Sequence, residues 1–522
     1  MFCRRGDLKL QQPIFLFLLV SRFVSKMFTD EVLDGVEFQS SWRRQRSTKS
    51  HSSQTSEILT NDGDSQTVRK KDVKVQTDPE KEKKFELIDD KSEALKDFIK
   101  KVTPEICKML DRNSRSHAFD GYKVNWEEDT VSVTCLRKLT HAPLKGELQC
   151  TRLAWNSTGS SLAVAYGRLD HQDWCKHKGS LCVWNVDLRR MNTEKADTVV
   201  DVNSCLMCIA YHPEKPSALV GGNFNGEVLL WDLNREDDSL IASSGIGDDS
   251  HREPVSEVMW LRDPNKPKKY NIVSVSNDGQ ILVWRVNARK GALELTEGFL
   301  LLASCLPATV GRAKAKGEGE MGVNSISYLS DDQSLFVIGS ESGGVFKCSM
   351  TSTTPVPTTE TLRSVPLHSP VIFAFQPHHG PVHSVECSPY HRNLFLTCGM
   401  DMSAQIYSML ESKSIISIEP SSGYLFSARW SPVRPLVFAI TTGEGKLLIY
   451  DLKSSRITPV QVIEASPKKS AVYSLEFNHK KPTLATGDAD GIVLIWQLSD
   501  ELSKQGAREI ETLADVANSA MD

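Results

Sequence analysis

Gly226-Glu-Val-Leu-Leu-Trp231, Gly279-Gln-Ile-Leu-Val-Trp284 and Gly491-Ile-Val-Leu-Ile-Trp496 repeat one short pattern: a glycine, an apolar stretch, and a tryptophan at a fixed offset. Four further stretches lie over them in the same register: Gly179–Trp184, Gly343–Cys348, Met402–Tyr407 and Gly445–Tyr450. Only Cys348 breaks the closing aromatic, so Trp184, Trp231, Trp284, Tyr407, Tyr450 and Trp496 read as equivalent structural positions. Asn225, Asp278, Asp401 and Asp490 stand just before the turn residue. Asx-Gly pairs tolerate a left-handed backbone and close tight hairpins. Upstream of each copy runs an alternating strand: Thr151–Trp155, Met207–Tyr211, Val255–Trp260, Val323–Tyr328, Val382–Cys387, Leu425–Trp430 and Val472–Phe477.

A small antiparallel sheet of this size cannot bury both faces alone, so the copies pack radially and close into a ring that leaves few free edges. Trp231-Asp232, Tyr450-Asp451 and Trp496-Gln497, with their Gly-Asx turns, resemble the WD-repeat family, although its Gly-His dipeptide and internal His are mostly missing. The expectation is an all-β protein: a seven-bladed WD-repeat β-propeller over residues 113–500, preceded by a disordered N-terminal arm and a short amphipathic helix. Residues 501–522 read as a C-terminal tail.

Composition agrees with a large domain plus an extended segment. The 522 residues are 40% hydrophobic and 25% charged, with a net charge of −4, which is no footprint for nucleic acid. Twelve scattered Cys suggest reduced thiols in the cytoplasm rather than a disulfide framework. Arg4, Arg5 and the apolar run Ile14–Val20 imitate a secretory signal, but no small-residue cleavage site follows and the run is too short to span a bilayer. Met27 opens an acidic stretch that makes a natural start, so residues 1–26 read as an upstream-start extension and no membrane insertion is expected.

Within the arm expected over residues 27–90, Glu37–Lys84 is rich in Ser, Gln, Lys, Arg and Asp, with too little apolar surface to offset the entropy of ordering. Gln-Thr recurs there as Gln54-Thr55, Gln66-Thr67 and Gln76-Thr77, the last inside Lys74-Val75-Gln76-Thr77-Asp78. Such extended segments suit addition to an exposed sheet edge, and several on one arm would favour a bivalent partner. Across 91–112, Leu95, Phe98, Ile99, Val102, Ile106, Met109 and Leu110 recur at three- and four-residue steps. Pro104, with Thr103 as N-cap, is expected to open a second short helix. The apolar face fits either a groove on another protein or the side of the repeats.

Nothing points to catalysis: no nucleophile elbow, phosphate loop or paired-carboxylate motif stands out. His171, Asp173, Cys175 and His177 lie close in sequence, and Cys205-Leu-Met-Cys208 has a two-residue spacer. Neither has a second knuckle, and free Cys at a strand start behaves as a small hydrophobe, so no metal and no cofactor are expected.

An arm with Gln-Thr motifs, an amphipathic helix and a WD-repeat propeller resembles the layout of dynein intermediate chains. Ser116–Tyr122, Trp155–Gly159, Ala165–His171, Ser388–Phe395 and Arg429–Leu436 resemble the WD-repeat intermediate chains of cytoplasmic dynein 2 in particular. The resemblance implies a non-catalytic scaffold for retrograde intraflagellar transport and for the assembly and maintenance of cilia. It implies partners too: the dynein 2 heavy chain, the motor's other intermediate chain, hub, roadblock-type and Tctex-type light chains, and intraflagellar transport particles. Lys74, Val75, Gln76, Thr77 and Asp78, with Gln54 and Thr55, would take the hub light chain, and the Leu95–Leu110 stripe the roadblock type. The implied locations are cytoplasm and cytoskeleton, ciliary axoneme, ciliary base and centrosome. The alternative is a WD-repeat adaptor outside a motor, such as a ubiquitin-ligase substrate receptor or signalling scaffold, since fold alone does not choose.

Overall fold

The computed structural model describes residues 93–114, 133–144, 146–171, 174–235, 238–263, 266, 268–306, 319–356 and 363–518. The chain divides into two compact units, residues 29–128 and residues 1–28 with 129–522.

The described part of the first unit is one helix, α1 (Glu93–Ser114). The expected break at Pro104 does not occur. The proline removes one backbone donor, and Thr103 Oγ1 bonds the Ile99 carbonyl at 2.6 Å. Ile99 and Val102 before it and Ile106, Met109 and Leu110 after it stay in one helical phase, so a single helix keeps a single stripe.

The second unit is a propeller-like arrangement of antiparallel sheets. Five are separate and four-stranded; a sixth joins two four-stranded runs, the strands of 206–243 and of 255–300, through the single parallel bridge between Ala292 and Ser243. The first strands of the runs, Gln149–Trp155, Leu206–Tyr211, Val255–Arg262, Val323–Tyr328, Val382–Cys387, Leu425–Trp430 and Val472–Phe477, match the sequence expectation closely. Each neighbours the next, and the last neighbours the first. Apolar slabs between adjacent sheets form the core, and Trp184, Trp231, Trp284, Tyr407, Tyr450 and Trp496 are all buried in them.

Two features go beyond the strands read from the sequence. Each run has a fourth, outer strand, such as Thr198–Val202 or Gln461–Glu464, whose mixed polarity follows from its half-exposed position. For the last sheet that strand is Val133–Leu139, which pairs with Val493–Leu498 and joins the two ends of the ring. The segment expected to be a tail holds the helices α2 (Asp500–Ser503) and α3 (Glu509–Asn518). Leu513, Val516 and Ala517 of α3 are buried against Leu436, Phe438 and Tyr450 in one cluster.

The turn residues explain the glycine column. Gly279 has φ +80°, and a Cβ there would meet the Met321 carbonyl oxygen at 2.7 Å. Met402 holds the same left-handed conformation, φ 62°, with a side chain.

Candidate functional site

In each of the seven first strands the pairing slips by one residue near the start, at Thr151, Met207, Ser256, Asn324, His383, Phe426 and Tyr473. A bulge leaves one residue unpaired and re-aims its side chain. All seven line a single cavity. On one arc, which also holds the apolar Met207, three of them are polar and tie neighbouring strands together: Thr151 Oγ1 donates to the Leu206 carbonyl at 2.7 Å, Ser256 Oγ to Val323 at 2.6 Å, and Asn324 Nδ2 to Val382 at 3.1 Å. On the other arc they are aromatic, with His383 and Phe426 centroids 5.1 Å apart and Phe426 and Tyr473 edge to face at 5.0 Å. Burial pushes the His383 imidazole down to about 4, so it is neutral at cytoplasmic pH.

The same strands carry five ionisable groups, Arg152, Glu257, Glu386, Arg429 and Glu476. Arg429 lies 3.5 Å from Glu257 and 3.4 Å from Glu476, and Arg152 also pairs with Glu257. Glu257 Oε2 accepts the Ile326 amide at 2.9 Å, and Glu386 accepts that of Trp430. Burial pushes the Glu386 carboxyl up to about 8, against the opposing pull of Arg429 and the Trp430 amide. A propeller hydrolase would gather acids at its central channel to activate water. Here arginines and backbone amides engage these carboxylates, an arrangement that binds strands together instead.

Two networks supply the internal histidines that the sequence pattern largely missed. His251 Nε2 meets Ser274 Oγ at 2.7 Å, Trp284 Nε1 donates to the same hydroxyl at 2.8 Å, and Asp278 lies 3.5 Å from His251 Nδ1. His378 bridges Asp401 Oδ2 at 2.9 Å and Thr397 Oγ1 at 2.7 Å. Burial opposes ionisation of Asp401, but the His378 contact and backbone donors hold its carboxyl down at about 2. A search for Gly-His dipeptides passes over both, because Ser250 and Pro377 precede them. The signal that finds them is distance: each stands before a first strand and upstream of an Asp turn.

Helix α1 presents its stripe to solvent. Phe98 is 62% exposed and Met109 65%; Ile99, Ile106 and Leu110 are also exposed, and Leu95 and Val102 partly so. Lys74–Asp78, Gln54, Thr55, Gln66 and Thr67 fall outside the described residues, as does Asp173. The remaining Cys and His candidates regroup. His171, Cys175 and Cys205 converge and are buried, whereas Cys208 turns its Sγ to the Val255 carbonyl at 3.4 Å. Residues 307–318 and 357–362 lie outside the described residues, and Leu367–Ser369 adds a short parallel strand to Ala292–Leu300.

The WD domain, G-beta repeat family matches residues 369–408 and 457–497, which agrees with the class that the sheets define: a WD-repeat protein. Cytoplasmic dynein 2 intermediate chain 2 of Mus musculus is 43% identical over 491 residues, 93% of this chain and 91% of that protein. Its Homo sapiens counterpart is 44% identical over 419 residues, 80% and 78% of the two chains. Dynein intermediate chain 3, ciliary, of Heliocidaris crassispina is 27% identical over 419 residues, 79% and 64%. The chain belongs to the dynein intermediate-chain family, on its cytoplasmic dynein 2 branch.

Proposed function

We propose that this protein is a non-catalytic scaffold of the cytoplasmic dynein 2 motor: a seven-bladed propeller that holds the heavy chain, with an N-terminal arm and helix that recruit light chains for retrograde intraflagellar transport. The blade count takes the joined sheet as two blades linked by one bridge, supported by seven bulged first strands around one cavity. The observation that carries the recruiting role is the exposed apolar stripe of α1, which has the spacing of a helix that lies in a partner's groove. A roadblock-type light chain is the partner assigned to it. The hub light chain is assigned to Lys74–Asp78 and Gln54-Thr55. Tctex-type light chains, the motor's other intermediate chain and intraflagellar transport particles complete the assembly, at the ciliary base, axoneme and centrosome.

Affinity purification of the chain from ciliated cells tests this reading. Wild type should recover dynein 2 heavy chain. Gln76→Ala with Thr77→Ala should lose the hub light chain and keep the heavy chain, and Phe98→Asp with Met109→Asp should lose the roadblock type. Recovery without any heavy chain would leave the chain an adaptor outside the motor.

A further inference from the structure

The convergence of His171, Cys175 and Cys205 is not explained by the packing of the sheets. His171 and Cys175 lie in the segment between the strands Ser161–Gly167 and Gly179–Asn185, and Cys205 stands just before the first strand of the next run, Leu206–Tyr211. Their exposures are 6%, 2% and 0%. His171 Nε2 is 3.2 Å from the Cys205 sulfur and 3.2 Å from the Cys175 sulfur. All three donor atoms lie within 4.8 Å of one another. As hydrogen bonding alone the set is poor, because one ring nitrogen faces two sulfurs and thiols are weak donors. Around a tetrahedral ion with bonds of about 2.3 Å to sulfur and about 2.0 Å to nitrogen, the nitrogen-to-sulfur edge is about 3.5 Å, close to what the side chains already adopt.

The surroundings fix the three groups in place. The Cys205 amide donates to Cys175 Sγ at 3.4 Å. The His171 ring is stacked on His177 at 4.9 Å and meets Phe224 edge-on at 4.6 Å. Asn225 holds the Cys175 backbone from the neighbouring run, with its Oδ1 accepting the amide at 2.9 Å and its Nδ2 donating to the carbonyl at 3.1 Å. Outer contacts of this kind orient metal ligands in known sites.

We propose that His171 Nε2, Cys175 Sγ and Cys205 Sγ bind a zinc ion, with an exogenous fourth ligand, and that the ion links the first two four-stranded runs of the propeller. Two thiolates and an imidazole are a donor set that suits zinc over the harder divalent ions. Binding releases the two thiol protons to solvent and leaves both sulfurs as ligands, with no change of oxidation state. The link also anchors the segment that carries Trp174, which is 57% exposed.

The full chain, purified with reductant after expression in zinc-supplemented medium, should carry about one zinc per chain by elemental analysis. Cys175→Ser with Cys205→Ser should reduce this at least tenfold, while Cys208→Ser, whose sulfur faces another way, should keep it. Stripped wild type titrated with cobalt(II) should develop a thiolate charge-transfer band that the double variant lacks. Circular dichroism of every form separates loss of metal from loss of fold. Folded, reduced wild type that carries no zinc and gives no cobalt band overturns the proposal, as does a double variant that keeps its zinc. A Cys175–Cys205 disulfide in a chain that takes up no zinc once reduced also overturns it.

Discussion

Helices α1 and α3 follow one sequence rule and meet opposite fates. Both space apolar residues at three- and four-residue steps. Leu513 of α3 is fully buried, and the helix is held by Arg434, whose Nη2 reaches Glu509 Oε1 at 2.6 Å and Asp451 Oδ2 at 2.9 Å. The α1 stripe is exposed over Phe98, Ile99, Ile106, Met109 and Leu110. Amphipathic periodicity therefore announces that a face will be covered without saying by what. The difference lies in the polar anchor: α3 begins with a buried carboxylate matched to a buried guanidinium of the sheets.

Breaking that anchor is the strongest way to test the contrast. Arg434→Ala leaves Glu509 and Asp451 buried without their cation and should cost about 3–5 kcal/mol, read by urea unfolding. Leu513→Ala should cost about 2–4 kcal/mol. If either leaves the unfolding midpoint in place, α3 is not part of the fold and the contrast with α1 collapses. A pH series sharpens the picture of the sheets. Glu386 is raised to about 8, so it is protonated in the native state across a range where the unfolded chain, titrating near 4.3, has lost that proton. Stability from this group therefore falls as pH rises from about 4.3 to about 8, and Glu386→Gln should flatten the decline and gain on the order of 2 kcal/mol at pH 8. Met402→Gly relieves a left-handed side chain and should stabilise by about 0.5–1 kcal/mol, seen as a small rise in Tm. Smallest of all, Phe98→Asp with Met109→Asp in α1 should shift unfolding by less than about 0.5 kcal/mol.

Much of the propeller was readable because strand alternation and turn chemistry are local. The aromatics from Trp184 to Trp496 and the Asx-Gly turns repeat within short windows, and each such position proved buried or sharply turned. What escaped was non-local. Val133–Leu139 shows nothing in its own residues of a partner at Val493–Leu498. His251 and His378 acquire their roles only from Asp278 and Asp401, a full strand away or more. Cys175 and Cys205 come from different runs, so a spacing rule that pairs Cys205 with Cys208 selects the wrong sulfur. The axial cavity rests on bulges, which the alternation of a single strand conceals.

The pairing of Val133–Leu139 with Val493–Leu498 has a consequence for biosynthesis. The first strand leaves the ribosome long before its partner, so it waits with its backbone edge unpaired while every other run is made. Closing a chain segment of that length costs on the order of 5 kcal/mol in loop entropy, which only the finished ring repays. Ring closure is thus expected to be the late, slow step of folding, and a nascent chain stopped anywhere before Leu498 remains a substrate for chaperones rather than a smaller propeller.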